Sequence, residues 1–225
     1  GAALAAGRAL RDYLFANPKA SLPDLYWPLV EATREKETAV AQLPAPDLFW
    51  RYRAEFSFQI IGRLFAVTPP GNERLYDAIF DVIIADIERA YAIDPDAHQV
   101  WRDFFVDANT GWLYLQRANE LVAREGDWQQ ALADYTTAIR RIQPNSDNAR
   151  GDLIDAYFNG GRLALRLGDA ALAEQWTATG VAYANRYDLP AKISAARAAL
   201  DALLAAEPAL ARSAAPLLSL LAEDS

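Results

Sequence analysis

The chain has no cysteine and no methionine among its 225 residues. Without cysteine it has no disulfide bond, no cysteine nucleophile and no thiolate metal site. The absence of cysteine is compatible with a reducing and with an oxidising compartment, so the composition leaves the localisation open. Because the chain begins at Gly1 and contains no methionine, we expect a processed product or a domain of a longer protein.

Histidine is almost as scarce, since His98 is the only one in the chain. A di-metal site of the usual bundle type needs Glu-x-x-His on two helices, which a single histidine cannot supply. A Ser-His-Asp hydrolase would have to use His98, and the sequences around Ser57, Ser146 and Ser194 do not resemble a nucleophile elbow. We therefore expect no metal ion, no cofactor and no enzymatic activity.

Positive charge is also in short supply. Lys and Arg number 22 against 30 Asp and Glu, the net charge is -8, and no stretch concentrates the basic residues. Binding to nucleic acid depends on clustered cations that displace counterions from phosphates, so we expect no nucleic-acid partner. The apolar opening of the chain is interrupted by Arg8, Arg11 and Asp12, far short of the roughly 20 apolar residues of a membrane span. We therefore expect no direct insertion into a membrane.

What the chain does have is the composition of a helical protein with a substantial core. Hydrophobic residues make up 52% of it, and alanine, leucine, arginine and glutamate, which favour helix, dominate. Period-two Val/Ile/Thr runs and Asn-Gly hairpin turns, which indicate strands, are absent. The composition predicts an all-α fold in one elongated domain over residues 1–225.

Helical periodicity and Pro/Gly breaks together predict about ten helices, paired in about five antiparallel hairpins. The predicted helices cover 2–16, 24–42, 47–67, 73–93, 97–125, 128–143, 148–167, 170–186, 190–206 and 209–222. The sequence Asn109-Thr110-Gly111 is expected to bend or split the segment 97–125, and Pro216 counts against the last helix. We interpret 1–23 as an N-terminal helix, 24–186 as repeated hairpins and 187–225 as capping helices.

The same pattern of helix-ending residues recurs along the chain. An alanine near a helix end is followed by a proline at Ala39–Pro44, Ala90–Pro95 and Ala138–Pro144. In the first two cases a tryptophan, Trp50 or Trp101, comes six residues after the proline. Recurrence at a fixed spacing is typical of stacked supersecondary units, whose usual product is a binding surface.

The clearest motif is a Gly-Asp turn followed by small and aromatic residues at helical spacing. In the first copy these residues are Gly126, Ala131, Tyr135 and Ala138. A second copy has Tyr157, Gly161, Ala164, Gly168, Asp169, Ala173 and Gly180, with Thr177 at the place of the aromatic. Both copies resemble the tetratricopeptide repeat, in which small residues permit close helix packing and the aromatic fills the groove to the neighbour. The resemblance implies an α-solenoid that acts as a scaffold and binds a protein or peptide on its concave face.

In that family the ligand-binding positions lie on the first helix of each hairpin. Six polar residues at such places are our candidates for partner binding: Arg51, Arg102, Arg117, Asn159, Arg162 and Arg166. Arginines that converge on a groove of an acidic protein favour a carboxylate-bearing partner through bidentate hydrogen bonds. For a single arginine on a helix, the ordinary role is a solvated surface side chain.

The layout of aromatic helices separated by prolines suggests a particular setting. It is similar to the soluble helical-repeat regions of bacterial multi-spanning membrane proteins of the O-antigen ligase and polymerase type. That resemblance implies an extracytoplasmic domain of a membrane-anchored protein, and a membrane-protein complex as the partner.

An alternative of a different class is a helical carbohydrate-binding or carbohydrate-active protein. The segment 49–65 is rich in aromatic residues, and the chain has six tryptophans. Exposed rings such as Tyr52, Phe56 and Trp112 would stack on sugars, and the carboxylate pairs Asp77/Asp81 and Asp103/Asp107, one helical turn apart, would serve as acid and base. At helical spacing, however, aromatic residues such as Trp50, Trp101 and Trp128 are more typical of a core.

Overall fold

A computed structural model describes residues 42, 46, 49–50, 53–54, 73–93 and 110–222 of the chain. Contacts divide the chain into two compact units, Gly1–His98 and Gln99–Ser225, and each is described by itself. The described residues are mostly helical and contain no strand, so the all-α prediction is confirmed. The interpretation of residues 1–225 as one continuous repeat domain stays a prediction.

Among the described residues of the first unit, helix α1 covers Glu73–Ile93, at the predicted position. Its core face includes Ile83, Ile87 and Ala90, which recur at steps of three and four residues and are buried. A charged residue shares this buried region: Asp86 is fully buried and accepts hydrogen bonds of 2.6 Å from both Nε and Nη2 of Arg53. The ion pair compensates the carboxylate for the loss of water.

The same region encloses a tryptophan. The side chain of Trp50 is buried, with the guanidinium carbons of Arg53 and Arg89 lying 4.9 and 4.8 Å from its ring centroid. Phe49 meets the indole edge-on at 5.0 Å. The interpretation of Trp50 as a core residue is therefore confirmed, and cation–π contact supplements its burial.

The second unit contains six α-helices within the described range 110–222. They are α2 Thr110–Ala123, α3 Trp128–Arg141, α4 Asp147–Arg166, α5 Ala170–Arg186, α6 Pro190–Ala206 and α7 Ala211–Leu220, with a 3-10 turn at Pro208–Leu210 before α7. Side-chain caps begin three of them. Asp127, Ser146 and Asp169 accept hydrogen bonds from the backbone N–H groups of residues 130, 149 and 172. Pro190 begins α6, where its missing N–H costs nothing.

Three of the turns close in the same way. The backbone N–H groups of Gly126, Asp169 and Leu189 donate to the carbonyls five residues earlier, at 2.8, 2.9 and 2.8 Å. In each turn the residue before the donor has a positive φ, which is the Schellman arrangement. Only one of these three residues is a glycine, Gly168; the others are Glu125 and Asp188. The turn 124–127 is also one residue longer than 167–169, so the two Gly-Asp pairs are not equivalent in backbone geometry.

The short turns make successive helices antiparallel neighbours, giving the hairpins α2/α3, α4/α5 and α6/α7. Helix α4 contacts both α2 and α6, so the first helices of the three hairpins form one layer. Among the second helices, α5 contacts α7, while α3 packs on α4. This stacking is compatible with a helical repeat protein.

Small residues let these helices approach closely. Ala131 and Ala138 are fully buried on α3, as is Tyr135 between them. On α4, Gly160 faces the indole of Trp176, and a Cβ placed there would lie 2.5 Å from that ring. The pairing of a small residue with a ring fixes how near α5 comes to α4.

The last helix, α7, continues through Pro216, although this proline counted against a helix in the sequence analysis. Pro216 is exposed, whereas Ala214 and Leu217 are buried against α5. The helix tolerates the proline because the backbone bond that it loses lies on the solvent side.

Candidate functional site

The structure describes four of the six predicted partner-binding residues. Arg117 lies on α2, and Asn159, Arg162 and Arg166 lie on α4. These are first helices of successive hairpins, as expected. Arg51 and Arg102 lie outside the described residues, so their assignment stays a prediction.

The three residues on α4 belong to a longer polar row. Asp155, Asn159, Arg162 and Arg166 follow one another at steps of four, three and four residues, which places them on one helix face. The row lies in the layer of first helices and is linked to both neighbours. Asp155 pairs with Lys192 of α6 at 2.5 Å, and Asn159 contacts α2. We call these four side chains the α4 polar row.

A hydrogen-bonded chain joins α3, α2 and the middle of this row. The hydroxyl of Tyr135 donates to Oδ1 of Asn119 at 2.7 Å, and Nδ2 of Asn159 donates to the same oxygen at 3.0 Å. Nη2 of Arg162 then donates to Oδ1 of Asn159 at 2.8 Å. Every side chain in this network is partly or fully buried, so the hydrogen bonds fix the positions of α2, α3 and α4 relative to one another.

Arg162 differs from Asp155 and Arg166 in this row, because each of those has an oppositely charged partner within ion-pairing distance. Among the described residues its guanidinium has one hydrogen-bond acceptor, the neutral Asn159, and forms no ion pair. Burial lowers the pKa of Arg162 because it penalises the cation, while Tyr135 and Asp155 act in the opposite direction. A partly buried guanidinium with a single neutral acceptor is a place where an external carboxylate would be favoured.

Arg166, one turn further along α4, contacts two side chains from the neighbouring hairpins. Its guanidinium carbon lies 4.0 Å from the ring centroid of Trp128, at the start of α3. Its Nη2 pairs with Oε1 of Glu207 at 2.7 Å, just beyond the end of α6. Within the described part of the chain, Nε of Arg166 and Nε1 of Trp128 are buried without a hydrogen-bond partner. Arg166 therefore joins the turn ends of both neighbouring hairpins.

Arg117 departs from the expectation of a solvated surface residue. Its Nε and Nη2 donate to the two carboxylate oxygens of Asp134 on α3, at 2.6 and 2.8 Å. The side chains of Arg117 and Asp134 are 13% and 2% exposed, and Gln130 donates a further bond to Asp134 at 2.9 Å. The bidentate pair ties α2 to α3, so the fork of Arg117 is already occupied within its own hairpin.

The sequence analysis missed four residues that contact the α4 polar row directly or through its hydrogen-bonded network. Tyr135 was interpreted as packing alone, and Asn119 was not singled out. Lys192 and Glu207 lie in the segment 187–225, which was interpreted as a cap, yet both contact the α4 polar row. The sequence places Asn119 and Asn159 on the first helices of two successive hairpins, but no local signal indicates that their side chains meet across 40 positions.

Metal-binding clusters and membrane-spanning helices are absent from the described residues. Over 73–93 and 110–222, no cluster of three His, Asp or Glu side chains could bind a metal ion. In the same part of the chain, no helix is both long and apolar enough to span a bilayer.

The carbohydrate alternative rests mainly on residues outside the described ones, namely Tyr52, Phe56, Asp103 and Asp107. Asp81 is exposed, and Trp112 is partly buried. That alternative stays a prediction.

Comparison with known proteins adds no relative. No protein-family model, no curated protein sequence and no solved structure matches this chain.

Proposed function

We propose that this chain is a non-enzymatic, tetratricopeptide-like scaffold that binds a protein or peptide partner through its layer of first helices. Three features support the proposal. The hairpins α2/α3, α4/α5 and α6/α7 stack as repeats do. Capped Gly-Asp turns join the helices of the first two hairpins. The α4 polar row lies on a first helix, where the repeat family binds its ligands.

The observation that carries the proposal is that the guanidinium of Arg162 forms no ion pair among the described residues, while Asp155 acts on its charge only from beyond ion-pairing distance. Asp155 and Arg166 each have an oppositely charged partner from α6 or its end, whereas the one acceptor of Arg162 in the described part of the chain is an amide oxygen. A carboxylate that approaches Arg162 replaces lost hydration with a charge-assisted hydrogen bond. The partner is therefore a segment that carries an acidic side chain.

The test is capture of partners by the wild-type chain and by Arg162→Gln. Glutamine keeps an N–H donor for Asn159 and removes the positive charge, so the fold should be retained. The matched control is Arg212→Gln, which changes the net charge equally at an exposed position of α7. We expect Arg162→Gln to lose a set of proteins that both the wild type and the control recover. Thermal unfolding of all three proteins verifies that they remain equally folded.

Recovery of the same proteins in equal amounts by Arg162→Gln would contradict the proposal. Captures from the soluble fraction and from detergent-solubilised membranes, run in parallel, test whether the partner belongs to a membrane-protein complex. Enrichment from solubilised membranes alone would support the setting implied by the O-antigen ligase resemblance.

A further inference from the structure

Glu207 and Arg166 form an ion pair one helical turn from Arg162. The two arginines are one helical turn apart on α4 and lie on the same face, with roughly 5–6 Å expected between their Cβ atoms. Arg162 has no carboxylate partner among the described residues, whereas Arg166 binds the carboxylate of Glu207 at 2.7 Å. One of two neighbouring guanidinium groups is thus occupied by an acid from the chain itself.

Arg166 does not depend on Glu207 for its position. The indole of Trp128 lies against its guanidinium at 4.0 Å, and the side chain of Arg166 is only 17% exposed. The carboxylate is the more accessible partner, since the side chain of Glu207 is 35% exposed. Glu207 can therefore turn away into solvent while Arg166 stays on the indole, because the polar end of a glutamate is readily hydrated.

We propose that Glu207 is an internal competitor that occupies, at Arg166, the place of an acidic side chain of the partner. The inference rests on the proposed function, because it assumes that Arg162 binds a carboxylate of the same segment. The preferred partner then carries two acidic side chains at a spacing that matches Arg162 and Arg166. In an extended segment, residues i and i+2 point to the same side about 6–7 Å apart, which meets this requirement.

The contact has a consequence for selectivity. A segment with one acidic residue binds Arg162 and leaves the pair between Arg166 and Glu207 intact. A segment with two acidic residues must displace Glu207 to gain its second ion pair. Glu207 therefore lowers the affinity for two-acid segments and leaves that for one-acid segments unchanged, which is a specific form of negative selection.

The experiment titrates three synthetic peptides into the intact protein labelled with ¹⁵N on arginine. The peptides are acetyl-Ala-Glu-Ala-Glu-Ala-amide, its one-acid form with the second glutamate replaced by glutamine, and the form with both replaced. The Nε–Hε signals of Arg162 and Arg166 are assigned with Arg162→Lys and Arg166→Lys. The protein is studied as wild type, as Glu207→Gln, and as the matched control Glu174→Gln, which removes the same charge from an exposed position of α5.

We expect both glutamate peptides to shift the Arg162 signal of the wild type, and the all-glutamine peptide to leave it in place. In Glu207→Gln the affinity for the two-acid peptide should rise roughly threefold to fivefold, the effect of one partly exposed ion pair. The Arg166 signal should respond in the same titration. The affinity for the one-acid peptide should not change, and Glu174→Gln should behave as the wild type.

The outcomes separate the two proposals. If no peptide shifts Arg162 in any of the proteins, the carboxylate site fails and the competitor fails with it. If Arg162 responds but Glu207→Gln equals Glu174→Gln, the site stands and the competitor is refuted. An equal gain for the one-acid and two-acid peptides would also refute it, because that pattern is a general effect of net charge.

Discussion

Replacing Arg117 by alanine should destabilise the second unit strongly. The change leaves the carboxylate of Asp134, 2% exposed, with one neutral donor, Gln130, in place of a bidentate guanidinium. Breaking a buried ion pair on one side typically costs about 3–5 kcal/mol. Because Arg117 itself is 13% exposed, water can partly hydrate the remaining carboxylate, and we expect about 3 kcal/mol.

Urea unfolding followed by circular dichroism measures this loss. Arg212→Ala, at an exposed position of α7, is the control and should lie within about 0.5 kcal/mol of the wild type. The double variant Arg117→Met with Asp134→Leu should recover most of the stability, because it removes both buried charges together. A loss below about 1 kcal/mol in Arg117→Ala would refute the reasoning, since the carboxylate would then be well hydrated without its partner.

Four further substitutions test packing, backbone geometry and the dependence of stability on pH. Gly151→Ala should raise the free energy of unfolding by about 0.5–1 kcal/mol through helix propensity, since its Cβ would only touch a lysine side chain at 3.4 Å. Gly160→Ala should lower the free energy of unfolding by about 1–2 kcal/mol, because its Cβ would lie 2.5 Å from the Trp176 ring. A urea midpoint equal to that of the wild type would contradict the prediction for the variant that shows it. Glu125→Gly should raise the free energy of unfolding by about 1 kcal/mol, because glycine adopts the φ of 52° at this position without strain. An unchanged or lower urea midpoint would argue against strain at Glu125. Burial raises the pKa of Tyr135 above its ordinary 10.0, so the contribution of Tyr135 to stability is complete below pH 10 and is lost as the pH rises further. In Tyr135→Phe the free energy of unfolding should therefore fall less steeply at alkaline pH, and urea midpoints from pH 8 to 11 measure this.

Much of the helical framework could be predicted from the sequence, because its signals are local. The Gly-Asp pairs were predicted as turns before the helices 128–143 and 170–186, and in the structure Asp127 and Asp169 cap the helices that follow. The segment 73–93 was predicted from apolar steps of three and four residues, and α1 has those bounds. Caps and periodicity act within one or two helical turns, so residue order suffices to place them.

The backbone geometry of the turns could not be predicted from local sequence signals. The two Gly-Asp pairs look alike in the sequence, yet the positive φ falls on Glu125 in one turn and on Gly168 in the other. The difference arises because the preceding helix ends one residue earlier relative to the glycine in the first turn. Where a helix ends depends on its packing as well as on its sequence.

The sequence by itself determined the helical class, the approximate helix bounds and the presence of polar residues on the first helices. Tertiary structure alone decided which of those residues are already paired. Arg117 pairs with Asp134 across 17 positions, and Asn159 meets Asn119 across 40, whereas Arg162 forms no ion pair in the described part of the chain. Side chains of the same type receive different roles because the distance between charges, and the water excluded around them, is set by how the helices pack.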